Sequence, residues 1–206
     1  MLYPDMMLID SHCHPNSDEL RGNVQGLMNR AKEASVGRML IVGCNLEDSE
    51  EAVKMACDFK DYGAYAAVGL HPHAVKEYYA HDYIRLSLKD LRKKLTRLAL
   101  HKRTVAVGEI GLDYHYEHDP QIQDAQKEIF AAQLEWAAGI HKPVVLHIRD
   151  AMRDALDILK DFPGLKLLFH CYSGGLEYLD EVLSMGGLCA IGGAVTWKNS
   201  EMNSWR

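Results

Sequence analysis

Two hydrophobic periods alternate along this chain. Short apolar, β-branched runs recur at MMLID (6–10), GRMLIVGC (37–44), AYAAVGL (64–70), TVAVGEI (104–110), PVVLHI (143–148), LKLLFHC (165–171) and GLCAIGGAV (187–195). They predict strands. Between them lie stretches with helical spacing, such as VQGLMNRAKEA, SEEAVKMACDF and QKEIFAAQLEWAA. In the last, Ile129, Leu134 and Trp136 predict the apolar stripe, while Gln126, Lys127 and Glu128 predict the wet side. Asp48-Ser49 ahead of EEAVKM predicts a helix start. Residues 74–103 predict a long helix or a helix pair on the outside of the fold, with the basic run KDLRKKLTR as a solvated face.

Strand followed by helix, repeated, implies parallel strands with helical crossovers. No GxGxxG follows the first run, and polar residues close many runs rather than one. A doubly wound sheet would concentrate them at its switch point, whereas a barrel collects all C-terminal strand ends on one rim. The expected architecture is an α/β, TIM-type (β/α) barrel, incomplete at about seven strands, forming one domain over residues 1–206.

The 206 residues, 48% hydrophobic and 25% charged, fit one globular domain with a sizeable core. No basic and apolar leader opens the chain, and no run approaches the roughly 18 apolar residues of a membrane helix. Cys13, Cys44, Cys57, Cys171 and Cys189 are odd in number and form no CxxC pair, which argues for a reducing, cytoplasmic setting. A net charge of −6 argues against broad duplex binding, which draws on many Lys and Arg contacts to phosphate. A grip on one end of a single strand stays open.

Polar side chains close the runs: Asp10, His12 and His14 after the first, then His71, Glu109, His147 and His170. Alternate residues of a strand share a face, so Asp10, His12 and His14 are expected on one side. One histidine at a strand end is ordinarily structural; histidine or carboxylate at the ends of several barrel strands points to a metal centre on the rim. Imidazole suits zinc, manganese or iron, and a carboxylate such as Glu109 can bridge two ions. Two ions would supply an activated water and clamp a phosphoryl oxygen. Arg149, two residues after His147, is placed either to reach a phosphate or to pair with Asp150. Asp113 and Tyr114 are expected to shape the loop after the fourth strand, with substrate contact as the alternative. His81, His101, His118 and His141 read as non-catalytic, His73 and His115 as rim residues open to either role, and Cys13 and Cys171 as small buried apolar groups.

The stretches DSHCH (10–14), VGLHPH (68–73), GEIGLDYH (108–115), LHIRDA (146–151), FHCYSG (169–174) and IGGAVTWKN (191–199) together resemble the TatD family of metal-dependent nucleases, within the amidohydrolase-like barrels. The resemblance runs in order from near residue 8 to about residue 199. It implies a metal-dependent deoxyribonuclease, exonuclease-like, that cleaves phosphodiester bonds of DNA or an oligonucleotide, a single-stranded end rather than duplex, with metal-activated water as nucleophile. It also implies two divalent ions, with His12 and His14 on one, Glu109 bridging, and His147 and His170 on the second. The family is described with magnesium; the histidine-rich set equally suits manganese or zinc. The family pattern continues with an E-T-D-x-P strand whose Asp completes the site, and this sequence carries no such segment, so the domain is expected to be truncated at that point, with Asp10 or Asp113 as weak substitutes. Two alternatives remain: an esterase, lactonase or phosphotriesterase on the same barrel, and an inactive chain that only binds metal.

Overall fold

In the computed structural model, which describes residues 7–79 and 84–196, all seven runs form strands. They are β1 (Leu8–Cys13), β2 (Val36–Val42), β3 (Ala64–Val68), β4 (Thr104–Asp113), β5 (Val144–Arg149), β6 (Leu167–Phe169) and β7 (Leu188–Cys189). Each pairs in parallel with its sequence neighbour, in the order β1 to β7. Helices fill the crossovers: α1 (Val24–Glu33), α2 (Leu46–Asp58), α3 (Pro72–Tyr79), α4 (Ile84–Ala99), α5 (Pro120–Gly139), α6 (Met152–Leu159) and α7 (Leu179–Ser184). This is the expected TIM-type α/β fold, a curled sheet that stays open between β1 and β7 among the described residues.

The two faces of the sheet carry different cores. Ile41, Ala66, Val107, Val144 and Leu146 join helix residues such as Phe130 and Leu134 in one large cluster. The residues that alternate with them, Val42, Ala67, Ala106 and Val145, form a separate cluster built from strands alone. That second face is the concave interior, where two alanines suit the narrow space. His147 lies two residues beyond Val145 and so shares the interior face.

The helical expectations hold with corrections at two places. Among the described residues the 74–103 stretch carries a helix pair, α3 and α4, and Arg92, Lys93, Lys94 and Arg97 are exposed while Leu95 is buried. His81 lies outside the described residues. The start of α2 falls before Asp48-Ser49: Asn45 is the N-cap, its side chain accepting the Asp48 N–H at 2.9 Å. Ser49 is fully buried instead, because its hydroxyl bonds the Gly69 backbone at the end of β3.

Gln126 is the second correction, since it belongs to the inward side of α5 with Gln133. Each amide clamps one residue's backbone at a strand end. Gln133 accepts the Leu70 N–H at 2.8 Å and donates to the Leu70 carbonyl at 3.0 Å. Gln126 does the same to Asp113, at 2.9 and 3.2 Å. Spaced seven apart, the two glutamines share one face of α5 and replace ladder bonds where β3 and β4 run out.

Gln126→Met keeps the length of the side chain but strands two buried backbone groups, so it should destabilise the fold by roughly 2–4 kcal/mol. Urea unfolding against the wild type reads this directly; an unchanged midpoint would mean that the clamp does not hold the strand end.

Candidate metal centre

The site begins with an irregularity in β4. Val107 pairs with Val144, but the next matched residue, Ile110, already pairs with Leu146. The extra step at Gly108-Glu109 turns the Glu109 carboxylate into the barrel mouth, and its N–H bonds the Gly43 carbonyl at 3.1 Å. Gly111 holds the two strands close where the ladder resumes: at φ 147°, a Cβ there would collide with the His147 carbonyl oxygen.

Glu109 is buried and surrounded by imidazoles. Its Oε2 lies 3.4 Å from His12 Nε2 and 3.8 Å from His14 Nε2, and its Oε1 is 3.1 Å from His147 Nδ1. Two sets of ligand atoms therefore converge, His12–His14–Glu109 and His71–Glu109–His147, each within 4.8 Å. Glu109 is common to both sets. Burial alone would raise its pKa, yet the bonds from His12 and His147 outweigh that and hold it far below the usual carboxylate range.

The donor chemistry fits a divalent cation. His14 Nδ1–H donates to the Val42 carbonyl at 3.1 Å, which leaves its Nε2 as a free base facing His12 Nε2 at 2.8 Å. Burial and then the neighbouring His12 lower the pKa of His14, favouring that neutral form. His12 Nδ1 is buried without a hydrogen-bond partner among the described residues, the kind of unsatisfied atom that a bound water or ion accounts for.

The second set contains His71, a residue the sequence reading placed on the rim without giving it a ligand role. Burial, then the charge on His147, push its pKa down to about 3, so its imidazole is neutral. His147 behaves oppositely: burial would lower it, but Asp113 and Glu109 accept from both ring nitrogens and raise it to about 9. Asp113 completes the arrangement. Its Oδ2 lies 2.8 Å from His147 Nε2 and 2.9 Å from His73 Nε2, while Oδ1 accepts the N–H groups of His115 and Tyr116 at 3.0 and 3.3 Å. A carboxylate behind a ligand histidine fixes its ring and tautomer. That role is stronger than the loop-shaping expected of Asp113; only its following DYH context hinted at it.

The other expectations divide. His170 reaches the same rim, its ring stacked on His12 with centroids 3.3 Å apart, but it lies outside the two converging sets. Burial, and then His12, lower its pKa to about 4. Asp10 does not share the site: β1 shifts register between Asp10 and Cys13, and Asp10 is exposed, accepting the His12 N–H at 3.1 Å. Arg149 forms no ion pair with Asp150, which pairs with His115 at 2.9 Å; its guanidinium lies over the Tyr116 ring at 4.8 Å. Cys13 points away, toward the Leu40 carbonyl, with its thiol pushed up to about 12 by burial. Cys171 is exposed rather than buried, because the chain turns out of β6 there with φ 43°.

Two measurements follow from this geometry. Asp113→Asn should weaken divalent-ion binding by roughly 10–100-fold, read by titration calorimetry; unchanged affinity would mean that the carboxylate does not orient His147. In the metal-free chain, His71 and His170 take up protons near pH 3 and 4 instead of their ordinary 6.5, so acid favours the unfolded chain through that window. His147 contributes stability below 6.5 that is lost as pH rises through about 9. Tm with a chelator present should therefore peak near neutral pH and fall on both sides; a flat profile between pH 4 and 9 would contradict these assignments.

Known proteins resemble this chain in sequence and in fold. The chain is 34% identical to the metal-dependent hydrolase YabD of Bacillus subtilis, covering 95% of this chain and 72% of that protein. It is also 34% identical to a 3'-5' ssDNA/RNA exonuclease TatD of Edwardsiella piscicida, over 90% of this chain and 68% of that one. The crystal structure of YJJV, a TatD homolog from Escherichia coli, superposes with a TM-score of 0.82 at 30% identity, covering 96% of this chain and 73% of that structure. The model for TatD-related DNases matches residues 9–204, and the chain belongs to that family.

Proposed function

We propose that the chain is a divalent-metal-dependent phosphodiesterase acting on single-stranded nucleic acid ends, with the rim cluster as its centre. One observation carries this reading: a single buried carboxylate, Glu109, belongs to two converging sets of imidazole ligands. His12 and His14 would hold one ion and His147, with His71 or His170, a second, Glu109 serving both. Magnesium, manganese and zinc are the candidates; the imidazole-rich set favours the softer ions. Bound there, such ions supply a water activated near neutral pH and positive charge for the phosphoryl oxygens.

The chain's own groups would do the rest. Asp113 keeps His147 oriented. Arg149, at the end of β5 and free of ion pairs among the described residues, would hold a phosphate oxygen as a planar two-donor fork. The names of relatives, a 3'-5' ssDNA/RNA exonuclease among them, support the substrate class. The esterase alternative draws no comparable support from the names of the relatives. The chain spans 72% of the length of the Bacillus subtilis relative and 73% of that of the Escherichia coli structure. Among the described residues no helix is long and apolar enough to cross a membrane, and five free thiols accord with the cytoplasmic location proposed.

A labelled single-stranded oligonucleotide should be shortened only when magnesium, manganese or zinc is added, and Glu109→Ala should lower the rate by at least roughly 10²-fold. Cleavage that survives both a chelator and Glu109→Ala would refute the metal centre. A silent wild type that still binds metal would instead favour the inactive, ion-binding chain.

A further inference from the structure

Tyr116 stands apart from the other aromatic side chains of the rim. It lies on the loop between β4 and α5, three residues past Asp113, and is 64% exposed. A solvent-facing tyrosine on a loop is ordinarily loose, but this one is braced. Its N–H donates to Asp113 Oδ1 at 3.3 Å, which ties it to the carboxylate behind His147. The Arg149 guanidinium sits 4.8 Å from its ring centroid. The His115 ring meets it nearly perpendicular at 4.6 Å, and the His73 ring at 5.6 Å. The ring is thus positioned by three neighbours, while most of its surface remains open to solvent.

A rigid, exposed aromatic ring beside a cation is what a stacked base requires. Stacking loses little when the ring is already held, and it tolerates any base because each has a π-face. The charge of this chain gives the contact added weight. At a net −6, with Asp150 and Glu117 on the same rim, long-range attraction of phosphate is weak. A strand must then be gripped by short-range contacts near the centre.

We propose that Tyr116, backed by Arg149, is a stacking subsite for a nucleobase of the single strand whose phosphodiester reaches the metal centre. This rests on the nuclease reading and adds to it a recognition element that a small ester or lactone would not use. The subsite would favour base-bearing strands over bare sugar-phosphate without discriminating among bases.

The test compares two labelled strands of equal length, one carrying bases and one built wholly of abasic sugar-phosphate, both with phosphorothioate linkages that resist cleavage. Fluorescence anisotropy with the intact chain should show the base-bearing strand bound about tenfold tighter. Tyr116→Ala should lose most of that preference, and Tyr116→Trp should restore it. No preference in the wild type, no measurable binding of either strand, or a preference that survives Tyr116→Ala would overturn the subsite. If the preference depends on Tyr116 but ordinary oligonucleotides are never cleaved, the subsite stands and the nuclease reading fails; cleavage without any base preference gives the reverse.

Discussion

A buried carboxylate surrounded by imidazoles is the interaction on which this rim is built. An isolated anion at the depth of Glu109 would be costly, and the chain offsets that cost with bonds from His12 and His147. The same bonds fix where both rings point. Removing the carboxylate would leave His12, His14 and His147 without their common partner, so this one group organises β1, β4 and β5 together. The irregular step in β4 is the backbone's part in this: a regular strand would have presented Glu109 in step with Val107 and sent it among the helices.

Support spreads outward from that centre in layers. Asp113 orients His147, and the Gln126 amide holds the Asp113 backbone. One turn pair further along α5, Gln133 holds Leu70, the residue before His71. A single helix thus sets the position of two strand ends whose side chains enter the same cluster. These amides are buried without charge, so they hold the backbone without disturbing the electrostatic balance of the site.

That balance also separates the histidines by role. His71, His14 and His170 are held neutral by burial and by neighbouring imidazoles, the form that can donate a lone pair. His147 is held protonated between two carboxylates and must release a proton before an ion can take its place at Nδ1. The protein has therefore stored its positive charge on the one imidazole flanked by two acids, the place where an incoming cation would relieve it.

Much of this was legible in the sequence, for definite reasons. Short apolar runs named the seven strands, and the five that close in histidine or glutamate put His12, His14, Glu109, His147 and His170 on one rim, because parallel strands align their C-terminal ends. Strict alternation failed where the strands are irregular: the register shift in β1 removed Asp10, and the extra step in β4 brought Glu109 into both converging sets. Polarity misled at Gln126, which is polar yet buried because the end of β4 needs its amide. Asp113 and Tyr116 acquired their roles only through contacts with residues far along the chain, His147 and Arg149. The sequence by itself determined which elements form and which side chains reach the rim, since both follow from local periodicity. The tertiary structure decided which of those side chains meet, because that depends on register shifts and on helix α5 seen from the other side of the sheet.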